Sequence, residues 1–107
     1  VKELLAHPKI DPNIKKEYGY TPLHNACWHG RTEVVKALLA HPNIDPNMKN
    51  KYGETSLYLA CEYGYTDIVK ALLAHPKIDP NIKDKRGKTP LDIASKKRHT
   101  EIAMKSM

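Results

Sequence analysis

The chain has 107 residues, which is enough for one domain and not for two. No apolar run approaches the roughly 18 residues that a membrane-spanning helix needs, so we expect no membrane insertion. The formal net charge is +6, and two cysteines are too few for a disulfide scaffold. We predict that Cys27 and Cys61 are buried as small apolar side chains in a protein from a reducing compartment.

The chain is internally repetitive, with a period of 34 residues. The block Leu-Leu-Ala-His-Pro marks the same point of each period, at residues 4–8, 38–42 and 72–76. Such a period indicates stacked units that build a long surface, which favours binding over catalysis. We predict a single domain, 1–107, composed of the end of a truncated repeat at 1–10, repeats at 11–44 and 45–78, and a capping-like C-terminal repeat at 79–107. Because Val1 falls in mid-motif, we expect the array to be part of a longer one.

The middle of each copy predicts two helices joined by a turn. In the first whole copy, Thr21 is a preferred N-cap residue and Pro22 suits the first helical position, where its missing N–H costs nothing. Gly30 ends this inner helix, since glycine accepts the left-handed conformation that follows many helices. A second, outer helix is predicted over residues 32–40, with its apolar face formed by Val34, Val35, Leu38 and Leu39.

The segment after each outer helix predicts an extended finger rather than a regular element. Residues 43–53 are rich in Asp, Asn, Pro and Gly and have no helical period, which is typical of a loop with a tight turn. Pro46 argues against a central strand, because proline cannot donate to a sheet.

These residues resemble the ankyrin repeat over essentially the whole chain. The match runs through Thr21-Pro22-Leu23-His24-Asn25-Ala26, then Glu33-Val34-Val35-Lys36, Leu38-Leu39 and Asp45-Pro46-Asn47. The resemblance implies an all-α fold, an ankyrin-repeat solenoid of stacked helix-turn-helix units with short extended β-turn fingers. The period of 34 is one residue longer than the usual 33, so we expect each finger base to be slightly reshaped.

The second and third copies depart from the family motif. Ser56 and Tyr58 stand where the motif has proline and histidine. In the family that histidine helps to tie neighbouring repeats by hydrogen bonds, so the tie is in question at Tyr58. The third copy has Asp92 for the histidine and Arg98 for the glycine, and its polar end indicates a capping repeat.

The resemblance also implies where a partner would bind, namely at the finger tips and the exposed face of the inner helices. Carried onto this sequence, those positions are Glu17, Tyr18, Tyr20, Trp28, His29, Lys51, Tyr52, Glu54, Glu62, Tyr63, Lys85, Arg86, Lys88, Lys96 and Lys97. They include the only tryptophan and four of the six tyrosines, residue types enriched at binding hot spots. The alternative interpretation is that Tyr18 and Tyr52 only pack on the adjacent finger, and Trp28 on the next inner helix.

Positive charge is concentrated in the third copy. Residues 79–107 contain eight Lys or Arg against four Asp or Glu, a net charge of +4, so the other residues supply only +2. A basic end of this kind could bind nucleic acid or an acidic partner, and it could equally be a solvated capping face.

No catalytic motif and no cofactor-binding motif is present in the sequence, so we expect no enzyme, no cofactor and no metal. His24 and His29 are five residues apart, which does not place two ligands on one helix face. A structural role at helix ends is predicted for the histidines that precede proline, His7, His41 and His75. We predict a monomeric, intracellular protein–protein interaction module, in the cytoplasm or the nucleus. The alternatives are a nucleic-acid-binding basic face and a structural spacer in a larger protein.

Overall fold

A computed structural model describes residues 11–96 of the protein. The described residues form five α-helices and one short 3-10 turn, and contain no strand. The 3-10 turn is Glu17–Gly19, and the helices are α1 (Pro22–Trp28), α2 (Thr32–Leu39), α3 (Ser56–Tyr63), α4 (Thr66–Leu73) and α5 (Pro90–Lys96). The predictions for 1–10, His7, Lys97 and Arg98 lie outside the described residues. Within 11–96 the predicted all-α solenoid is confirmed.

The inner helices α1, α3 and α5 each begin at a threonine cap, as predicted for α1 at Thr21. The Thr21 hydroxyl accepts the His24 backbone N–H at 3.2 Å, and Pro22 occupies the first turn. Thr55 caps α3 in the same way. Thr89 accepts the Asp92 backbone N–H at 3.2 Å, while the Asp92 carboxylate accepts the Thr89 backbone N–H at 3.0 Å. The cap therefore forms in all three copies, because it depends only on residues three apart.

The outer helices α2 and α4 end one residue before the predicted Ala40 and its equivalent, Ala74. At the helix ends the imidazoles of His41 and His75 accept backbone N–H groups from the residues two positions later, at 3.0 and 3.1 Å. The histidines therefore have the predicted structural role at the helix ends. The imidazole accepts N–H groups of the following turn, however, and does not donate to the terminal helix carbonyls as we expected.

The core lies between the layer of inner helices and the layer of outer helices. The inner helix α3 packs between α1 and α5, and for this reason six successive residues, 56–61, are buried. In α2 only Val35 and Leu38 are fully buried, since its other face meets solvent. Cys27 and Cys61 are buried free thiols, and burial raises the pKa of each to about 12. They therefore act as small apolar side chains, as predicted, and are unreactive near neutral pH.

Backbone hydrogen bonds join the fingers edge to edge. The Lys51 N–H donates to the Tyr18 carbonyl at 2.7 Å, and the Lys85 N–H donates to the Tyr52 carbonyl at 3.2 Å. The chain comes this close because a glycine, Gly19 or Gly53, follows each tyrosine with a positive φ. The fingers are therefore held in register by the backbone itself.

An asparagine at the base of the first and second fingers adds a second tie between repeats, which the sequence did not reveal. Asn47 donates through its amide nitrogen to the Lys77 carbonyl at 2.8 Å and accepts the Asp79 N–H at 2.8 Å. Asn13 makes the equivalent pair of bonds, to the Asn43 carbonyl and from the Asp45 N–H. In each pair one bond reaches the last residues of the same repeat and the other reaches the first residue of the next repeat.

We expect Asn47→Ala to lower the free energy of unfolding by about 2 kcal/mol, because two hydrogen bonds of about 1 kcal/mol each are lost. The matched control is Asn81→Ala, since Asn81 holds the equivalent position but its side chain has no hydrogen-bond partner within residues 11–96. Urea denaturation followed by circular dichroism measures both. Equal losses for the two variants would show that the asparagine ties do not stabilise the array.

Candidate functional site

A groove lined by aromatic rings opens where the first finger meets α1. It encloses about 580 Å³ and is lined by Lys16, Glu17, Tyr18, Tyr20, Asn25, Trp28 and Tyr52. We call it the aromatic groove. Its volume falls in the range of about 300–1,000 Å³ that is usual for ligand pockets. Five of the seven lining residues were predicted; Lys16 and Asn25 were not.

The rings of the aromatic groove contact one another and still remain open to solvent. Tyr18 and Tyr52 stack with centroids 6.5 Å apart, and Tyr20 lies 5.5 Å from Trp28. The exposed fractions are nonetheless 55% for Tyr18, 48% for Tyr52 and 44% for Trp28. Packing between fingers therefore accounts for only part of each tyrosine surface. The remainder is apolar area that a partner could cover.

The backbone at Tyr18 is unusual. Its φ of 58° lies in the left-handed region, and no other residue except glycine has a positive φ within 11–96. This conformation costs a residue with a side chain roughly 1–2 kcal/mol. The Lys51 ammonium nitrogen lies 5.4 Å from the centre of the Tyr18 ring, within cation–π range. The ring is thus held at the mouth of the groove despite the backbone cost.

Polar groups of the groove keep hydrogen-bonding capacity. Burial, with the Glu54 carboxylate as a second cause, raises the pKa of Tyr20, so its hydroxyl stays a donor at neutral pH. Asn25 is exposed, and its side chain has no hydrogen-bond partner among the described residues. Its equivalents, Leu59 and Ile93, are buried. That polar-for-apolar exchange within the repeat is the sequence signal by which Asn25 could have been found.

Two further cavities continue from the aromatic groove along the same surface. A middle cavity of about 230 Å³ is lined by Tyr52, Glu54, Asp84, Lys85 and Arg86. A basic pocket of about 370 Å³ is lined by Arg86, Lys88, Asp92, Ile93 and Lys96. The groove and the middle cavity share Tyr52, and the middle cavity and the basic pocket share Arg86. The three cavities therefore lie side by side across all three repeats, and we call this row of cavities the trough.

The two carboxylates near these cations, Asp84 in the middle cavity and Asp92 in the basic pocket, already accept hydrogen bonds. Asp84 is buried, with its side chain 3% exposed, and accepts the backbone N–H groups of Arg86 and Lys88 at 2.8 and 2.9 Å. Burial alone would raise the pKa of Asp84, but the hydrogen bonds from the Lys88 and Arg86 backbone N–H groups, the nearby Tyr58 hydroxyl and the Arg86 charge hold that pKa below its ordinary value. The Asp92 carboxylate caps α5. The exposed cations of this pocket are thus left to face solvent.

The remaining predicted site residues lie around the trough. Lys51 is over the Tyr18 ring, and the His29 ring stacks on Trp28 but borders a separate shallow cavity with Val34. Tyr63 is 45% exposed and packs near Tyr65, with ring centroids 6.1 Å apart. Glu62 is half-buried and lines none of the three trough cavities. Lys97 lies outside the described residues.

The tie in question at Tyr58 is missing from the structure. Between the first and second repeats, His24 Nε2 donates to the Glu54 carbonyl at 2.8 Å. Tyr58 holds the equivalent position, is 1% exposed, and its hydroxyl has no hydrogen-bond partner among residues 11–96. The second and third repeats are therefore joined through fingers, asparagine and apolar packing without this bond.

Comparison with known proteins agrees with this architecture. The chain matches the family described as ankyrin repeats (many copies) over residues 4–55 and 38–94, so it belongs to the ankyrin-repeat family. Such repeats are generally protein–protein interaction modules and are typically non-catalytic. Among known proteins, the mouse SMC5-SMC6 complex localization factor protein 1 is 54% identical over 33 residues. That match covers 31% of this chain and only 3% of the mouse protein.

None of the helices between residues 11 and 96 has the length and the apolar character needed to cross a bilayer. In the same range no group of three or more His, Cys, Asp or Glu side chains is arranged to hold a metal ion.

Proposed function

We propose that this chain is a non-catalytic binding module that captures a protein or peptide partner along the trough, with the aromatic groove as its main contact. The observation that carries the proposal is the half-exposed set of rings, Tyr18, Tyr52 and Trp28, around a groove of about 580 Å³. Large aromatic side chains contribute most to interface energy when a partner excludes water from them. The buried free thiols support an intracellular location for the module.

The proposal is tested with a library of displayed random dodecapeptides, selected on the wild-type chain. We expect Trp28→Ala to weaken the selected peptides about 30-fold or more, the effect of losing a hot spot worth about 2 kcal/mol. Because Trp28 is the only tryptophan, peptides without tryptophan report their own binding by changing its emission. For the variant, binding is measured by fluorescence anisotropy of labelled peptide.

The matched control is Ile14→Ala. Ile14 is 48% exposed, much like Trp28, but lines none of the three trough cavities. We expect it to leave affinity unchanged and both variants to unfold within about 1 kcal/mol of wild type, as exposed positions usually do. Peptides that bind Trp28→Ala as well as wild type would contradict the groove as the site. A failure to select any peptide would favour a structural spacer.

A further inference from the structure

The trough changes chemical character from one end to the other. At the aromatic groove the exposed groups are rings, whereas the basic pocket presents Arg86, Lys88 and Lys96. Among residues 11–96 the one ion pair joins Arg86 to Asp84 at 3.8 Å, and Arg86 is still 70% exposed. Lys88 and Lys96 form no ion pair within that range. At the far end of the trough, Lys88 and Lys96 therefore carry positive charge that no carboxylate within residues 11–96 pairs with.

The repeat geometry sets the distance between the two ends. Tyr20 and Lys88 hold the same position in the first and third repeats, as do Trp28 and Lys96. Neighbouring helices pack roughly 8–10 Å apart, so two repeat steps separate the ends by about 20 Å. An extended peptide advances about 3.3 Å per residue and would need about six residues to cover that distance.

The acidic groups along the trough argue for a peptide over a nucleic acid. Glu17 lines the aromatic groove and Glu54 lines the middle cavity. A phosphate backbone carries charge at every nucleotide and would meet these carboxylates along its path. A peptide can confine its negative charge to the residues that reach the basic pocket.

We propose that the partner is an extended peptide with an apolar or aromatic side chain in the aromatic groove and two or three carboxylates about six residues away, in the basic pocket. The inference rests on the proposed function, because it assumes that the aromatic groove is occupied. It adds the charge of the partner and the spacing between its two contacts. The carboxylates would face Arg86, Lys88 and Lys96.

The test repeats the dodecapeptide selection on the double variant Lys88→Glu, Lys96→Glu. We expect peptides selected on the wild type to be enriched in Asp or Glu about six residues from an apolar anchor, and those selected on the variant to lose that enrichment. The control is Lys36→Glu, on the exposed face of α2, which alters charge away from the trough and should keep the acidic preference. Replacing the acidic residues of a selected peptide by Gln should weaken its binding to the wild type about tenfold. The same replacement should strengthen its binding to the double variant, because it removes the repulsion between the peptide carboxylates and the two introduced glutamates.

Groove-dependent peptides with no acidic enrichment, or with the same enrichment on the double variant, would overturn the inference while leaving the proposed function intact. A failure to obtain groove-dependent peptides would overturn both. A single-stranded oligothymidylate that changes Trp28 emission at lower concentration than the selected peptides, with a steep salt dependence, would identify nucleic acid as the ligand class.

Discussion

Gly53→Ala is expected to lower the free energy of unfolding by about 3 kcal/mol or more. Gly53 has a φ of +77°, and an added Cβ would lie 2.9 Å from the Lys85 nitrogen. The left-handed conformation costs alanine roughly 1–2 kcal/mol, and the clash adds an overpacking cost of about 1–3 kcal/mol. The clashing atom belongs to the backbone and cannot rotate away as a side chain could. The clash is therefore removed only if the second and third fingers move apart, which stretches the hydrogen bond from the Lys85 N–H to the Tyr52 carbonyl.

Gly87→Ala supplies the matched control for this prediction. Gly87 occupies the equivalent place in the third finger with a φ of +80°, but within residues 11–96 nothing lies within 4 Å of its added Cβ. Only the conformational cost of about 1–2 kcal/mol remains. Urea denaturation followed by circular dichroism and Trp28 emission measures both variants. An equal loss in the two would show that close approach of the fingers contributes nothing to stability.

His24→Phe is expected to cost about 3 kcal/mol, whereas Tyr58→Phe should stabilise the chain by about 1 kcal/mol. Phenylalanine at 24 removes one of two donors to the partly buried Glu54 carbonyl, which keeps the Asn50 N–H at 2.9 Å. It also removes the His24 Nδ1 contacts to Thr21, 3.2 Å to the nitrogen and 2.8 Å to the hydroxyl, and so leaves these buried Thr21 groups without that partner. The substitution Tyr58→Phe removes a buried hydroxyl that has no hydrogen-bond partner within residues 11–96. Thermal and urea unfolding of both variants measure whether the free energy of unfolding falls in His24→Phe and rises in Tyr58→Phe.

The same pair of variants tests a dependence on pH. Burial lowers the pKa of His24 below its ordinary value of 6.5, so the folded state favours the neutral ring. Its contribution to stability is complete above pH 6.5 and is lost as the pH falls toward the folded pKa, because the unfolded chain takes up the proton first. We expect the stability difference between pH 7.5 and 5.5 to shrink in His24→Phe and to persist in Tyr58→Phe. If the stability difference between pH 7.5 and 5.5 were unchanged in His24→Phe, the pH dependence would not arise from the His24 ring.

Local signals made the helices predictable. The inner helix begins at Thr21 because threonine and proline act within one turn, and α3 ends at Gly64 because a single left-handed residue suffices. The period of 34 placed equivalent residues on one surface, so Tyr18 and Tyr52 could be expected near each other. These inferences needed no information about distances between repeats.

Contacts between repeats were harder to predict, because they depend on how far each unit shifts and rotates against the next. Asn13 and Asn47 each bind a carbonyl 30 residues further along the chain, beside the junction with the next repeat, and neither bond is visible in a local pattern. Lys16 in the groove lining was missed for the same reason, whereas Asn25 was detectable from the apolar residues, Leu59 and Ile93, at its equivalent positions. The lack of a hydrogen-bond partner for the Tyr58 hydroxyl within residues 11–96 was equally hard to predict, because it depends on where the neighbouring finger lies.

The sequence alone therefore determined the period, the bounds of the helices within a residue or so, the burial of Cys27 and Cys61, and the surface on which the aromatic residues lie. Each of these follows from short-range conformational preference or from hydrophobic periodicity. Only the tertiary structure decided that the rings stay half exposed and that three neighbouring cavities follow one another from the aromatic groove to Lys96. Those properties arise from the distance between stacked repeats, which many side-chain contacts set together.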